Sequence, residues 1–262
     1  MYYLGIDIGS LSCDAVLIDE RAQILAAAVV PTGARNVEAI AAASQSVLSQ
    51  AGVPLEEITA TVSTGYGRER VELRTAAVTE ITCHARGIDA IFPGTRVLID
   101  IGGQDSKAIR LNGQGQVVEF AMNDKCAAGT GRFLEAMAQA LQVDIDELAE
   151  LDRGAMGNLT LSSMCTVFAE SEVVSLIAEG IPVNEIASGL NRAIAARIHG
   201  LVRRVAPDVT DQRVAMSGGV ARNTGVVRAL SATLKCNISV PDAPDTVGAF
   251  GAALIARTRS GK

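Results

Sequence analysis

One short pattern occurs twice in this chain and constrains its fold more than any other feature. LGIDIGS, at residues 4–10, returns as LIDIGGQ at residues 98–104, so that Asp7 and Asp100 lie 93 residues apart. In each copy an alternating apolar run ends in Asp-x-Gly and a turn of small residues, which predicts a buried strand that stops at a tight loop. The repeat predicts two related halves that face each other across a cleft.

The residues that follow each copy predict further strands. After the first copy, alternating apolar residues predict a three-stranded meander, and a helix capped by Asn36 is predicted over residues 37–50. After the second copy, strands are predicted at residues 106–111 and 117–121. The helix face predicted to be buried consists of Val37, Ile40, Ala41, Ser44, Val47 and Leu48.

The Asp-x-Gly loops suit phosphate groups. Glycine lets the backbone approach a phosphate, the turn presents N–H donors, and the aspartate can hold a divalent metal through water. A single loop of this kind is common in α/β proteins, so one copy alone would not predict a nucleotide. Two more glycine motifs strengthen the prediction: a strand that ends in Ser217, Gly218 and Gly219, and a helix in which Gly248 and Gly251 permit close packing.

Composition excludes several classes of protein. The chain has 262 residues, 48% of them apolar, which is enough for one large domain or two modest ones. Its net charge of −6 is mixed along the sequence, so neither a nucleic acid nor an anionic membrane is the expected partner. The apolar runs fall short of the ~18 residues of a membrane span. The N-terminus does not read as a secretory signal, so the expected location is cytoplasmic.

The five cysteines do not form a recognisable framework. Their number is odd and no CxxC spacing occurs, which argues against a disulfide scaffold. Two histidines, His84 and His199, accompany them, so a zinc site within one chain is not expected. His84 is interpreted as a packed or hydrogen-bonded helix residue.

Four of these motifs resemble, in order, those of a known ATPase superfamily. LGIDIGS, LIDIGGQDSK, VAMSGGV and DTVGAFGAAL are similar to the phosphate-1, phosphate-2, adenosine and second connecting motifs of actin, sugar kinases and heat-shock chaperones. The resemblance implies an α/β fold of two ribonuclease-H-like lobes, the actin-like ATPase fold, with ATP and Mg2+ in the cleft between them. The implied lobes are residues 1–95, with a C-terminal helix over 245–262 packed back on them, and residues 96–244.

Longer motifs point to one branch of that superfamily. EITCHARG (80–87), DIGGQDSK (100–107), NDKCAAGTGRFLE (123–135) and MCTVFAESEV (164–173) resemble the activators, or component A, of 2-hydroxyacyl-CoA dehydratases and the related benzoyl-CoA reductase ATPase subunits. The resemblance implies a homodimer that holds one 4Fe-4S cluster between its subunits and uses ATP to drive an electron into a partner. The implied acceptor is an iron-sulfur dehydratase or reductase, and the implied donor is a ferredoxin or flavodoxin.

Cys126 and Cys165 lie in these motifs and are the candidate cluster ligands. A cubane cluster takes four thiolates, which a two-fold dimer would supply as two from each chain. Each cysteine precedes a predicted helix, whose positive end would favour a thiolate. The alternative is that both are small buried residues, a common role of free cysteine. Cys13, Cys83 and Cys236 are interpreted as structural.

The resemblance also implies roles for the loop residues. The phosphates would lie against Gly9, Ser10, Ser12, Gly102 and Gly103, and the nucleoside near Gly218 and Gly219. Asp7 and Asp100 would position magnesium, directly or through water. Gln104 or Asp105 would orient the attacking water, unless this pair holds only the loop.

The first phosphate loop departs from the family pattern. GSLSCD has Cys13 where a Ser or Thr is usual and Asp14 where a lysine is usual. A carboxylate aimed at the phosphates would repel them in a cleft of low dielectric constant. Either Asp14 points away or the handling of nucleotide is altered.

Two other functions fit parts of the pattern. A small-molecule kinase of the same superfamily would need a catalytic base and an acceptor pocket, and no inserted segment is evident to build that pocket. A cluster-carrying electron-transfer or regulatory protein with decayed hydrolysis has the GSLSCD departure as its support.

Overall fold

The computed structural model describes residues 1–161 and 165–261. Met164, which opens the 164–173 motif, and residue 262 of the predicted C-terminal helix lie outside the described residues. The strands are β1 (Tyr2–Ile8), β2 (Ser12–Asp19), β3 (Ile24–Pro31), β4 (Ile58–Gly65), β5 (Ala76–Ala77), β6 (Val97–Ile101), β7 (Ser106–Leu111), β8 (Val117–Asn123), β9 (Val214–Ser217) and β10 (Ile238–Ser239). The helices are α1 (Asn36–Ala51), α2 (Glu80–Ile91), α3 (Gly131–Leu141), α4 (Ile145–Leu148), α5 (Thr166–Ala178), α6 (Val183–Val205), α7 (Thr224–Leu234) and α8 (Val247–Ser260).

The strands form two five-stranded sheets of the same order. The first runs β3-β2-β1-β4-β5, and the second, read from its other end, runs β8-β7-β6-β9-β10. In the first sheet β1 is antiparallel to β2 and parallel to β4, with α1 in the crossover between β3 and β4. The predicted meander, the strands after the second copy and the α/β class are all confirmed.

The chain divides into two compact units. One contains Met1–Leu98, Leu111–Val118 and Pro241–Lys262, and the other contains Ile99–Arg110 and Glu119–Val240. The first unit holds the first sheet with α1, α2 and α8. The second unit holds α3 to α7, with α3 packed on α5 and α6 packed on α7.

The first sheet is covered on both faces. On one face Leu4 and Ile6 pack against α1, where Val47 lies in the same apolar cluster. On the other face Val62 packs against α8 through Ala253. A strand between two apolar layers must be apolar on both sides, which is why β1 is apolar almost throughout.

Helix α1 differs in detail from its prediction. Its buried residues are Ala39, Ile40, Ala43, Ser44 and Val47, whereas Val37 is exposed, and Arg35 rather than Asn36 occupies the N-cap position. Periodicity finds the correct spacing but cannot tell a buried alanine from an exposed one. The contact stripe therefore runs through Ala39 and Ala43 instead of Val37 and Ala41.

Helix α8 packs closely on α2 because it carries glycine at the contact. A Cβ added at Gly251 would lie 1.8 Å from the carbonyl oxygen of Cys83, and one added at Gly248 would lie 2.0 Å from Oδ2 of Asp7. Both distances are shorter than any tolerated contact, so at Gly251 the backbone of α8 meets that of α2, whereas at Gly248 it meets the side chain of Asp7. The packing role predicted for these glycines is confirmed.

We expect Gly251→Ala to destabilise the protein. The added methyl group would clash with rigid backbone, and overpacking of this kind costs ~1–3 kcal/mol or more. The measurement is the midpoint of urea denaturation. Gly200→Ala in α6 is the control, because no atom lies within 4 Å of a Cβ added there and alanine is the better helix former by about 1 kcal/mol. Equal midpoints for the two variants would contradict the packing described for α8.

Candidate functional site

The first Asp-x-Gly loop joins β1 to β2 in the first unit. The amide of Gly9 donates to the carbonyl of Ser12 at 2.9 Å, and the hydroxyl of Thr32 donates to the carbonyl of Gly9 at 3.0 Å. Gly9, Ser10 and Ser12 are partly exposed, whereas Asp7 before them is buried. The loop is therefore fixed by its own backbone and presents its small residues outward.

The second loop joins β6 to β7 in the second unit and is tied to a helix. The amide of Gly102 donates to the carbonyl of Asp105 at 3.0 Å, as in the first loop. In addition, the carbonyls of Gly102 and Gly103 accept from the amides of Gly131 and Arg132, both at 2.9 Å. Those amides belong to the first turn of α3, so this loop holds the start of the helix that follows Cys126.

A buried charged network lies beside the second loop. Nζ of Lys107 is 3.2 Å from Oδ2 of Asp100 and 2.8 Å from Oδ2 of Asp105, and Lys107 is only 2% exposed. The hydroxyl of Ser217 donates to Oδ1 of Asp100 at 2.7 Å. Sequence reasoning did not select Lys107, although it stands at the end of the DIGGQDSK motif that drew attention to its neighbours.

These contacts separate the two candidates for the water-orienting residue. Asp105 is buried and paired with Lys107, whereas Gln104 is exposed at the tip of the loop. The Asp105 carboxylate is used to bind Lys107 and fix the loop, whereas the Gln104 side chain extends toward solvent.

Backbone conformation explains the glycine of the third motif. Gly218 has a φ of +84°, and a Cβ there would lie 2.3 Å from the carbonyl oxygen of Ile101. Gly219 then begins a short 3-10 helix, Gly219–Arg222, before α7. In the first unit Gly65 is the counterpart, with a φ of +83° and a Cβ position 2.4 Å from the carbonyl oxygen of Ile8. Sequence reasoning missed Gly65, because TGYG differs from SGGV outside the glycine itself.

A second polar cluster lies beside the first loop. Nε2 of His84 is 3.3 Å from Oδ2 of Asp7, so His84 contacts the first predicted magnesium residue. Asp7 and Asp14 are paired across β1 and β2, and the hydroxyl of Ser12 donates to Oδ2 of Asp14 at 3.1 Å. Burial, together with the charge of Asp7, raises the pKa of Asp14 well above its ordinary value. Asp14 is buried, so its side chain is turned into the protein beside Asp7.

The five cysteines fall into different environments. Cys13 and Cys83 are fully buried, and burial raises the pKa of each thiol to about 12, which makes them unreactive. Cys126 and Cys236 are half-buried, and burial also raises the pKa of the Cys236 thiol. Cys165 is exposed. The structural interpretation of Cys13 and Cys83 agrees with this burial.

The two candidate cluster ligands differ in their relation to the helices. Cys165 is the N-cap residue of α5, as the prediction requires. Cys126 is not at a helix N-terminus, because α3 begins at Gly131 and the intervening residues form a turn. Stabilisation of a thiolate by the positive end of a helix, which was expected for both cysteines, therefore applies to Cys165 and not to Cys126.

Helix α5 carries an exposed apolar face that begins next to Cys165. Phe168 is 67% exposed, and Val167, Val174 and Ile177 are exposed as well. The residues of this helix that are buried are Ala169 and Val173. Large apolar side chains clustered in solvent are typical of a surface that another protein covers.

Within residues 1–161 and 165–261, no three Asp, Glu, His or Cys side chains are grouped as a metal site. Over the same residues no helix is both long and apolar enough to cross a membrane.

Comparison with known proteins gives similarity over almost the whole chain. The sequence pattern of the BadF/BadG/BcrA/BcrD ATPase family matches residues 4–256. The activator of lactoyl-CoA dehydratase from Anaerotignum propionicum is 47% identical over 260 residues, which are 98% of this chain and 97% of that protein.

Two solved structures share the fold closely. The activator of 2-hydroxyisocaproyl-CoA dehydratase from Clostridium difficile, with bound ADPNP, is 40% identical with a TM-score of 0.93, over 100% of this chain and 96% of that one. Component A of (R)-2-hydroxyglutaryl-CoA dehydratase from Acidaminococcus fermentans is 40% identical with a TM-score of 0.95, over 100% of both chains.

We expect Lys107→Met to destabilise the protein strongly. Removal of the ammonium group leaves two buried carboxylates without their cation, and breaking a buried pair in this way costs ~3–5 kcal/mol. The free energy of unfolding by urea is the measurement. Arg132→Met is the control, because Arg132 pairs with Glu135 on the surface and such a pair is worth ~0–1 kcal/mol. A loss of less than 1 kcal/mol for Lys107→Met would contradict the network.

Proposed function

Because the chain belongs to the BadF/BadG/BcrA/BcrD ATPase family, we propose that this ATPase is the activator of an iron-sulfur enzyme of the 2-hydroxyacyl-CoA dehydratase type. It would act as a homodimer with a bridging 4Fe-4S cluster, and ATP binding and hydrolysis would drive an electron at low potential into the partner. The proposal is supported by identity of 40% or more to activators over nearly the full length.

The nucleotide would be bound by both repeats. We assign residues 1–95 with 245–262 to one lobe and residues 96–244 to the other. Asp7 and Asp100, each buried at the end of a central strand, would orient Mg2+. The phosphates would contact Gly9, Ser10, Ser12, Gly102 and Gly103, and the nucleoside would lie near Gly218 and Gly219.

Hydrolysis needs a group that orients the attacking water. Gln104 suits this role better than Asp105, since its side chain is exposed whereas the Asp105 carboxylate is committed to Lys107. An amide can accept from the water and donate to a phosphate oxygen at once. Asp105 would act by fixing the loop.

The cysteines are compatible with half of a cluster site in each chain. One chain offers Cys126, half-buried, and Cys165, exposed, and no complete ligand set within the described residues. Two chains would supply the four thiolates that the cluster takes. When bound, the cluster supplies one-electron redox chemistry. The observation that carries this assignment is the exposed Cys165 at the N-terminus of α5, next to the apolar face of the same helix.

Contacts within the second unit connect the second phosphate loop to the two elements that carry Cys126 and Cys165. Gly102 and Gly103 accept hydrogen bonds from the first turn of α3, and α3 packs on α5. A shift of the phosphate loop would therefore move α3, the turn that carries Cys126 and the helix capped by Cys165. By linkage, the partner would in turn alter nucleotide affinity.

The apolar face of α5 supports the homodimer. A two-fold interface places the same surface of each subunit against its copy, so one exposed helix face can serve both. Phe168, Val174 and Ile177 would be buried in that contact, close to the Cys165 of each chain. The electron donor would be a ferredoxin or flavodoxin, as expected for a one-electron carrier at low potential.

We expect Gln104→Ala to lower the kcat of ATP hydrolysis by about 10²-fold, with little change in stability, because the side chain is exposed. Steady-state phosphate release measures the effect. Gln114→Ala, also exposed and in the turn between β7 and β8, should hydrolyse ATP at the wild-type rate. Unchanged turnover in Gln104→Ala would remove Gln104 from the proposed site.

We expect about four iron and four sulfide per two chains in protein purified without oxygen. Cys126→Ala and Cys165→Ala should each lose them, because either change removes two of the four thiolates from a dimer. Cys236→Ala should retain them, since Cys236 lies outside the family motifs. Absence of iron in wild-type protein after reconstitution would contradict the cluster, and would leave a nucleotide hydrolase without redox function.

A further inference from the structure

The first loop lacks the lysine that the second loop uses. The two repeats are offset by 93 residues, which superimposes Asp7 on Asp100, and with the same offset Lys107 corresponds to position 14. In the second unit Nζ of Lys107 lies 3.2 Å from Oδ2 of Asp100. In the first unit position 14 is Asp14, which is paired directly with Asp7 in the register of β1 and β2. Another residue must therefore hold the buried carboxylate of Asp7.

His84 makes the corresponding contact from a helix outside the sheet. It lies on α2, and its Nε2 is 3.3 Å from Oδ2 of Asp7. Both side chains are buried. An Nε2–H group donates both in the neutral tautomer that is protonated there and in the imidazolium ion. The contact therefore does not require one particular charge on His84.

The two aspartates lie in the same orientation. Oδ1 of Asp7 is 2.5 Å from a Cβ added at Gly65, and Oδ1 of Asp100 is 3.0 Å from one added at Gly218. These glycines stand at the ends of β4 and β9, the strands next to β1 and β6. In each unit one carboxylate oxygen meets a donor, and the other lies beside the glycine of the adjacent strand. The donor differs between the units, but the direction of the carboxylate is the same.

Close packing of α2 on α8 holds His84 in place. A Cβ added at Gly248 of α8 would lie 2.0 Å from Oδ2 of Asp7 and 2.6 Å from Nε2 of His84. The pair thus fills the space that a side chain at position 248 would need. Further along α2, a Cβ added at Gly87 would lie 2.2 Å from the carbonyl oxygen of Val247. The two helices therefore confine the imidazole beside the aspartate.

His84 also acts on the acid that replaces the lysine. Burial and the charge of Asp7 raise the pKa of Asp14, and Asp245 raises it further, whereas His84 lowers it. One imidazole therefore lies within electrostatic reach of both paired acids. In the second unit Lys107 similarly serves two carboxylates.

We propose that His84 is a positioning residue that holds the carboxylate of Asp7 in one orientation at the first phosphate loop, the task that Lys107 performs in the second unit. This inference rests on the proposed function, in which Asp7 orients the Mg2+ that accompanies ATP. A carboxylate that binds a metal is commonly held by a hydrogen bond of its own, and loss of that bond lowers metal affinity about 10–100-fold. His84 acts through Asp7 and needs no contact with the nucleotide.

The test is calorimetric titration of the full-length protein with ADPNP, once with Mg2+ and once with EDTA. We expect His84→Ala to reduce, about 10–100-fold, the factor by which Mg2+ tightens ADPNP binding. The affinity in EDTA should change little, whereas a residue with only a structural role would weaken binding under both conditions. An unchanged Mg2+ factor in His84→Ala would overturn the proposal.

Two further variants make this result specific. His84→Gln keeps a side-chain N–H donor, so it should recover most of the Mg2+ factor that His84→Ala loses. His199→Ala makes the same change at the half-buried histidine of α6 and should bind ADPNP as the wild type does. A loss of the Mg2+ factor in His199→Ala equal to that in His84→Ala would also overturn the proposal.

A second measurement needs no nucleotide. His84→Ala leaves the buried Asp7 carboxylate without its donor, so it should lower the urea midpoint of the wild type. The shift should be much smaller in an Asp7→Ala background, where no carboxylate remains to be held. Equal shifts in the two backgrounds would overturn the proposal, because they would show that the two side chains do not interact.

The two measurements separate this inference from the proposed function. If Mg2+ did not affect ADPNP binding by the wild-type protein, Asp7 would be removed from the proposed metal site. The urea midpoints would still decide whether His84 holds Asp7.

Discussion

The cost of burying a carboxylate at the end of a central strand governs both units. Asp7 and Asp100 lie where a strand covered on both faces gives way to a loop, and both are nearly inaccessible to water. A charge in that position must be matched by neighbours on the adjacent strands or helices. The second unit meets the requirement with Lys107 and Ser217, whereas the first has His84 beside Asp7. The identity of the residues beside each aspartate follows from this one electrostatic constraint.

The same strand ends dictate where glycine is required. Gly65 and Gly218 both have positive φ, and any side chain there would meet the carbonyl of the isoleucine that ends the central strand of its unit. The aspartates can therefore lie close to the backbone of the neighbouring strand. A phosphate-binding surface built of backbone groups and small residues needs this closeness.

The proposed function requires that nucleotide binding alter the protein at a distance, and the second unit has contacts that can transmit such a change. Its phosphate loop is bonded to the first turn of α3, and α3 is packed on α5. The exposed apolar face of α5 lies beside Cys165, at the far end of that chain of contacts. Such a surface is expected to be covered by another chain, which would bring two sets of cysteines together.

The sequence by itself determined the α/β class, the duplicated strand-and-loop motif and the family, because these depend on local patterns: alternation, Asp-x-Gly turns and motifs of fixed spacing. The two sheets and the similarity to activators confirm them. Only the tertiary structure decided which neighbours the buried charges have. Lys107, His84 and Gly65 were not identified as site residues, since nothing local marks a residue that contacts an aspartate from another strand or helix. The buried face of α1 differs from its prediction for a related reason, because whether an alanine is buried depends on the surface that it faces. The exposure of Phe168 depends on its tertiary neighbours in the same way.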